Sequence, residues 1–182
     1  DMMDNFKEDI VGRHSNVLPN ILYALCWICI VAFGLYAMLM LQVLMMQFDV
    51  TTLVIALLAA ASAVLLFFMK DQLKLEYEYT FTNGSLDFAK VMRQAKRKEL
   101  GSMNVKNVSA CGHVAHDSFR RFLSMKGVEK KNWFLNRDGN LFYFYYVKES
   151  KKHMIIIEPS EEMVEMIRQY LPAGVYQGDR KS

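Results

Sequence analysis

Three groups of residues have side chains that could do chemistry. Cys26-Trp27-Ile28-Cys29 spells C-x-x-C, the spacing at which thiol oxidoreductases pair two sulfurs. That chemistry needs a thiolate, usually at a helix N-terminus where the dipole lowers the thiol pKa. Here both cysteines lie inside a long apolar run, away from any helix N-terminus and from dithiol substrates, so they read as small hydrophobes. Cys111-Gly112-His113-Val114-Ala115-His116-Asp117 gathers four metal-ligating types, Cys111, His113, His116 and Asp117. Zinc takes three or four such ligands in tetrahedral geometry. No second cluster stands at a standard spacing, and no HExxH motif accompanies it. A metal-binding enzyme or sensor built on this loop is therefore the alternative reading, behind a polar loop with incidental histidines.

The third group is basic. Lys70, Lys74, Arg93, Lys96, Arg97, Lys98, Arg120, Arg121, Lys130 and Lys131 fall largely at the ends of expected hairpins. Near an anionic bilayer surface each such charge contributes about 1 kcal/mol. They are candidates for binding lipid headgroups or a partner, although a solvated basic surface would look the same in sequence. The chain has no nucleophile–base pair, paired carboxylates, Walker glycines or G-x-G-x-x-G. It reads as a non-enzyme without a cofactor. Nucleic acid is not expected as a partner, because no recognition motif accompanies the modest charge.

The elements that must position these residues follow from where charge is absent. The 182 residues carry 22 Lys+Arg and 19 Asp+Glu, are 53% hydrophobic and 23% charged, and have a mean hydropathy of +0.07. Those averages exclude a disordered chain and a polytopic transporter, and three cysteines argue against a disulfide scaffold. The averages conceal a partition. Between Arg13 and Lys70 the only charged side chain is Asp49. Two apolar runs, about 21–46 and 51–69, fill the gap. Since about 20 helical residues cross a hydrocarbon core of about 30 Å, the sequence predicts two transmembrane helices joined at Gln47-Phe48-Asp49-Val50 in a tight antiparallel hairpin. The first run is too long to cross upright, so it must tilt or extend into the headgroup layer. Ala56, Ala59, Ala60 and Ala63 in the second run, with Ala32, Gly34 and Ala37 in the first, would allow close packing. Lys7 and Arg13 precede the hairpin and Lys70 and Lys74 follow it, which by the positive-inside rule puts both termini in the cytoplasm. The first run is too long for a signal peptide and follows a largely acidic segment. Residues 1–16 form an N-terminal segment in which Met3, Phe6 and Ile10 stand at helical spacing, as in an amphipathic helix on the inner leaflet; a frayed tail fits equally.

From Lys70 onward the chain carries 20 Lys+Arg and 14 Asp+Glu, net +6. Leu73, Leu75, Tyr77, Tyr79 and Phe81 alternate with polar residues, as in a strand with one buried face. Asn83-Gly84 then signals a tight hairpin into a strand over 85–92. Further strands are expected near 99–103, 105–110, 132–135, 141–148 and 154–158. Residues 111–129 read as a long loop with a short helix around 118–125. Strict alternation in the aromatic strand puts Phe142, Phe144 and Tyr146 on one face and Tyr143, Tyr145 and Val147 on the other. One face must be core; the other is either covered by the loop or exposed to a partner. A last helix starts at Ser160, an N-cap with two acids behind it, shows Met163, Ile167, Tyr170 and Leu171 on one face, and ends at Pro172 and Gly174. Residues 71–176 thus read as an α+β domain, an antiparallel β-barrel or sandwich closed by a C-terminal helix, in the order of a pleckstrin-homology-like (PH-like) domain, with 177–182 as a tail.

Four segments also carry a resemblance: Met3-Asp4-Asn5-Phe6-Lys7-Glu8-Asp9-Ile10-Val11, Leu75-Glu76-Tyr77-Glu78-Tyr79, Lys96-Arg97-Lys98 and Glu158-Pro159-Ser160-Glu161-Glu162-Met163. Together they resemble an uncharacterised family of small two-helix membrane proteins from Firmicutes, clostridia especially, with a C-terminal bacterial PH-like domain. The resemblance implies that architecture and a bacterial plasma-membrane location, and brings no activity. The expected function is a membrane-anchored PH-like interaction module that binds anionic lipid headgroups or a protein partner, a membrane protein or a second copy of itself. A small accessory subunit of a larger membrane complex is the third reading.

Overall fold

The structure is a computed structural model that describes residues 5–15, 17–93 and 95–178. Met3 and Asp4 of the N-terminal motif and most of the tail (179–182) lie outside the described residues. The chain divides into two units, Ser15–Leu75, and Asp1–His14 together with Glu76–Ser182.

The first unit is a helical hairpin of α1 (Val17–Met46) and α2 (Val50–Met69), continued by a 3-10 turn, Lys70–Leu73. Asp49 ends the link and caps α2: its carboxylate accepts from the Thr52 backbone N–H at 3.3 Å, which satisfies one of the free donors of the first turn. The less exposed positions of α1 are Pro19, Tyr23, Cys26, Ile30, Ala37, Met40 and Leu44, and those of α2 are Thr52, Leu53, Ala56, Ala59, Ser62, Ala63 and Leu66. Most of them are separated by three, four or seven residues, the spacing of a packed seam. Ala60, Ala32 and Gly34 are exposed and stand outside it. Both helices are long and apolar enough to cross a membrane, and their most apolar windows are 0% and 11% buried. A core helix of a soluble protein would be largely covered.

The second unit contains two sheets. Sheet A has the order β1-β2-β3-β4, formed by β1 (Phe6–Val11), β2 (Leu75–Thr82), β3 (Ser85–Met92) and β4 (Lys96–Asn104). β1 corrects the expectation of an N-terminal amphipathic helix: Phe6–Val11 pairs antiparallel with β2, Phe6 opposite Thr82 and Val11 opposite Tyr77. The alternating exposure of β2 is as its sequence requires, with Tyr77, Tyr79 and Phe81 buried, and Leu86 and Phe88 of β3 join them. Asn83 and Gly84 both have positive φ, 47° and 93°, in the tight turn that joins β2 to β3.

Sheet B has the order β6-β8-β7-β5-β9. Its strands are β5 (Ala110–His113), β6 (Val128–Asn132), β7 (Phe142–Lys148), β8 (Lys151–Ile157) and β9 (Tyr176–Gln177), with α3 (Asp117–Leu123) between β5 and β6 and α4 (Glu161–Tyr170) after β8. It is mixed, since β5–β9 and β6–β8 run parallel, and among the described residues the two sheets do not close into a barrel. Of the expected antiparallel barrel or sandwich, the closed barrel and the all-antiparallel pairing are corrected: β4 ends sheet A, and the chain enters sheet B through the 3-10 turn Val105–Asn107. The loop expected at 111–129 is structured. β5 pairs with β7, and α3 lays Phe119 and Phe122 over Tyr143 and Tyr145. This decides the open question of the aromatic strand. Phe142, Tyr143, Phe144 and Tyr145 are all buried, so neither face is free for stacking. α4 starts where the sequence places it, Ser160 Oγ accepting from the Met163 backbone N–H at 3.2 Å, and buries Met163, Val164 and Ile167.

Candidate functional site

The four prospective metal ligands are dispersed. Cys111 is buried in β5, and burial pushes its thiol up to about 12. His113 lies edge-on to Phe142 with centroids 5.3 Å apart. His116 is the N-cap of α3, its Nδ1 accepting from the Ser118 backbone N–H at 3.2 Å, and Asp117 is exposed in the next position. Among the described residues no group of three or more His, Cys, Asp or Glu is placed to hold a metal ion. Cys26 and Cys29 are free, the first half-buried and the second exposed on α1.

The basic candidates separate into four places. In the helical unit, the Lys70 ammonium is 2% exposed, 3.2 Å from the Asp71 carboxylate and 4.0 Å from the centre of the Phe67 ring, while Lys74 lies over Tyr23 at 4.6 Å. On α3, Arg120 is exposed and Arg121 covers the Phe122 ring at 4.9 Å. On the β6 edge, Lys130 is exposed and Lys131 lies 5.7 Å from Trp133; lysines on an edge strand also block pairing with other chains. The fourth place is the β3–β4 end of sheet A. Here Arg93, with φ 55°, forms the turn, and Lys96 and Lys98 are exposed on β4. Arg97 is taken up by Glu78 at 2.9 Å and Glu99 at 3.4 Å, and its hydrogen bond to Glu78 raises its pKa.

That end of sheet A has a topological property. β1 finishes there and leads into α1, β2 starts there after the 3-10 turn, β3 finishes there and β4 starts there, with Val11 opposite Tyr77 and Met92 opposite Lys96. Both covalent links to the helical hairpin and the basic turn therefore share one edge of the fold. At this end Lys90 stands directly opposite Lys98, a like-charge pair that costs stability unless an anion screens it. The groove on the sheet surface nearby has the opposite character. It encloses about 450 Å³, lined by Ile10, Glu76, Glu78, Val91, Ala95 and Arg97.

Sequence reasoning missed a polar seam that joins the two ends of the chain. Asn136, 7% exposed, donates from Nδ2 to the Gly12 carbonyl and to the Glu158 carboxylate, each at 2.9 Å. Its Oδ1 accepts from the His14 backbone N–H at 2.9 Å. Glu158, 8% exposed, receives His14 Nε2 at 3.0 Å on its other oxygen, and its backbone N–H donates to the Tyr79 hydroxyl at 3.2 Å. Tyr79 in turn donates to the Trp133 carbonyl; burial holds its phenol well above the usual range. Asp9 accepts from the backbone N–H of Ser160 at 2.7 Å and from its hydroxyl at 3.1 Å, and Lys7 pairs with Glu162 at 2.6 Å. The seam borders an open cleft of about 430 Å³ lined by residues 8–12, His14, Asn140 and 158–160. The available signal was that the segments at 3–11 and 158–163 both carry the resemblance, which is what two segments in contact would do. The seam is a network of hydrogen bonds and ion pairs between the N-terminal segment and residues 136 and 158–162. It clamps the segment that leads into α1 onto the domain.

A family model described as a bacterial PH-like domain (DUF6106) matches residues 3–177 of the chain. No curated protein and no solved structure matches it.

Proposed function

The chain belongs to the bacterial PH-like domain family, and from that membership we propose that it is a non-enzymatic, membrane-anchored module whose PH-like unit engages anionic phospholipid headgroups at the inner leaflet of the plasma membrane. The two apolar helices serve as the anchor, both termini lie on the cytoplasmic side, and the Asp49 link lies outside. The observation that carries the reading is the shared end of sheet A: the links to α1 and α2 leave from the same edge that presents Lys90, Arg93, Lys96 and Lys98. A domain tethered at that edge has those charges at the end from which the chain leaves for the hairpin, and surface charges act over roughly 8–10 Å at physiological salt. Four such charges near an anionic surface contribute about 4 kcal/mol before screening. The Lys90–Lys98 pairing is in keeping with a site that expects an anion. The groove on the adjoining sheet surface, lined by Glu76 and by Glu78 already paired with Arg97, has no such excess of positive charge.

The test uses the full chain, because the edge strand β1 precedes the helices. An environment-sensitive dye on A95C is read in nanodiscs of phosphatidylcholine alone and of phosphatidylcholine with phosphatidylglycerol. A blue shift is expected only in the anionic discs, reversed by salt and lost in K96S/K98S. Equal emission in both discs removes the lipid reading and leaves a protein partner as the ligand.

A further inference from the structure

The 30 residues of α1 and the 20 of α2 correspond to about 45 Å and about 30 Å of helix, against a hydrocarbon core of about 30 Å. The mismatch can be absorbed by tilt or by letting α1 emerge. Because the two helices pack as one hairpin they share their tilt. Inclining α1 enough to bury all of it, by about 48°, would leave α2 spanning only about 20 Å. Tilt therefore solves the problem of one helix by creating it in the other.

The side chains mark where emergence begins. Trp27 lies edge-on to Phe67, centroids 6.3 Å apart, so these two residues share a level. Directly beyond them the Lys70 ammonium sits against both rings, 5.3 Å from Trp27 and 4.0 Å from Phe67, with Asp71 as its counter-ion, and Lys74 sits over Tyr23. Trp and Tyr concentrate at the headgroup level of a bilayer, and lysine near a helix end reaches for the same layer. From Trp27 to Met46 is the same number of residues as α2. Resting on the membrane-anchored reading above, we propose that Tyr23, Trp27, Phe67, Lys70 and Lys74 form an interfacial collar seated in the phospholipid headgroup layer. The hydrocarbon boundary on α1 is then at Trp27, and the ten residues Val17–Cys26 stand beyond it. Asn20, exposed on that segment, then meets headgroups and water instead of acyl chains.

The collar is tested on the full chain in nanodiscs through Trp27 fluorescence, isolated by the W133F variant. Independently, the difference between wild type and W27F gives the same signal without touching Trp133. Lipids brominated near the carbonyl should quench Trp27 about twofold more than lipids brominated toward the chain end. The reverse order places Trp27 deep and overturns the collar, with the hairpin still in the membrane. No quenching by either lipid overturns the membrane reading itself. A second readout uses C26A/C29A chains with a water-soluble maleimide, the Cys111 thiol being buried. N20C should label and L39C should not. Labelling of neither overturns the collar; labelling of both overturns the membrane reading.

Discussion

Asn136 shows how much of this fold rests on single polar side chains. Its amide serves Gly12, His14 and Glu158, three groups at positions 22 to 124 residues away. Replacing it with alanine would leave a buried carboxylate short of a donor and orphan a backbone N–H and a carbonyl. Each unsatisfied buried group costs about 1–3 kcal/mol, partly offset where water reaches His14. We expect N136A to lower the stability of the PH-like unit by about 2–4 kcal/mol, measured by chemical denaturation of the full chain in detergent; a change below about 0.5 kcal/mol would show that the seam contributes little. Nothing local identifies Asn136 in sequence, where it reads as one turn residue of Asn136-Arg137-Asp138-Gly139. Ser160 was legible, because an N-cap is defined by its neighbours in sequence, while a hydrogen-bond hub is defined by neighbours in space.

At the scale of elements, β1 decides how the chain is put together. Phe6 and Ile10 fit a helical stripe, but Lys7, Asp9 and Val11 are the less exposed positions of a strand, and Phe6, Glu8 and Ile10 the more exposed ones. An isolated amphipathic segment this short has little helical stability of its own, so pairing with β2 and the Asp9–Ser160 and Lys7–Glu162 contacts prevail. Deleting residues 1–11 would make β2 an open edge of alternating apolar character, which invites association with other chains. The expected outcome is loss of amide-exchange protection along Tyr77–Phe81 and concentration-dependent association by light scattering. Unchanged protection would mean that β1 only decorates the sheet. Strand boundaries in sheet B were harder to read for a related reason. The turn after β7 closes in two residues with positive φ, Glu149 and Ser150 at 51° and 63°, so β8 begins at Lys151 and not at Met154 as expected.

At the scale of the molecule, the two units differ in composition: an apolar hairpin charged only at Asp49 in its link and at Lys70, Asp71 and Lys74 at its base, and a domain with charge throughout. The proposed orientation rests on the Lys/Arg asymmetry, with several basic residues flanking the hairpin base and none in its loop. In intact cells we expect a membrane-impermeant maleimide to label D49C and to leave S150C, on the exposed β7–β8 turn, unlabelled until the cells are permeabilised. The inverse pattern would reverse the orientation, and with it the inner-leaflet assignment.

The sequence by itself determined the elements whose causes are local. A charge-free stretch dictates apolar helices, period-2 alternation dictates β2 and β3, Asn83-Gly84 dictates their turn, and Ser160 dictates the start of α4. These need only a residue and its near neighbours, because hydrophobic burial and capping act along one element. Tertiary structure decided what depends on meetings between distant segments. It placed the N-terminal motif as the edge of sheet A against Glu158–Glu162, and covered the second aromatic face with α3. It separated Cys111, His113, His116 and Asp117, and put the basic β3–β4 turn at the edge where the chain passes to the hairpin. Those outcomes turn on strand order and on pairing over more than a hundred residues, which composition and spacing do not encode one element at a time.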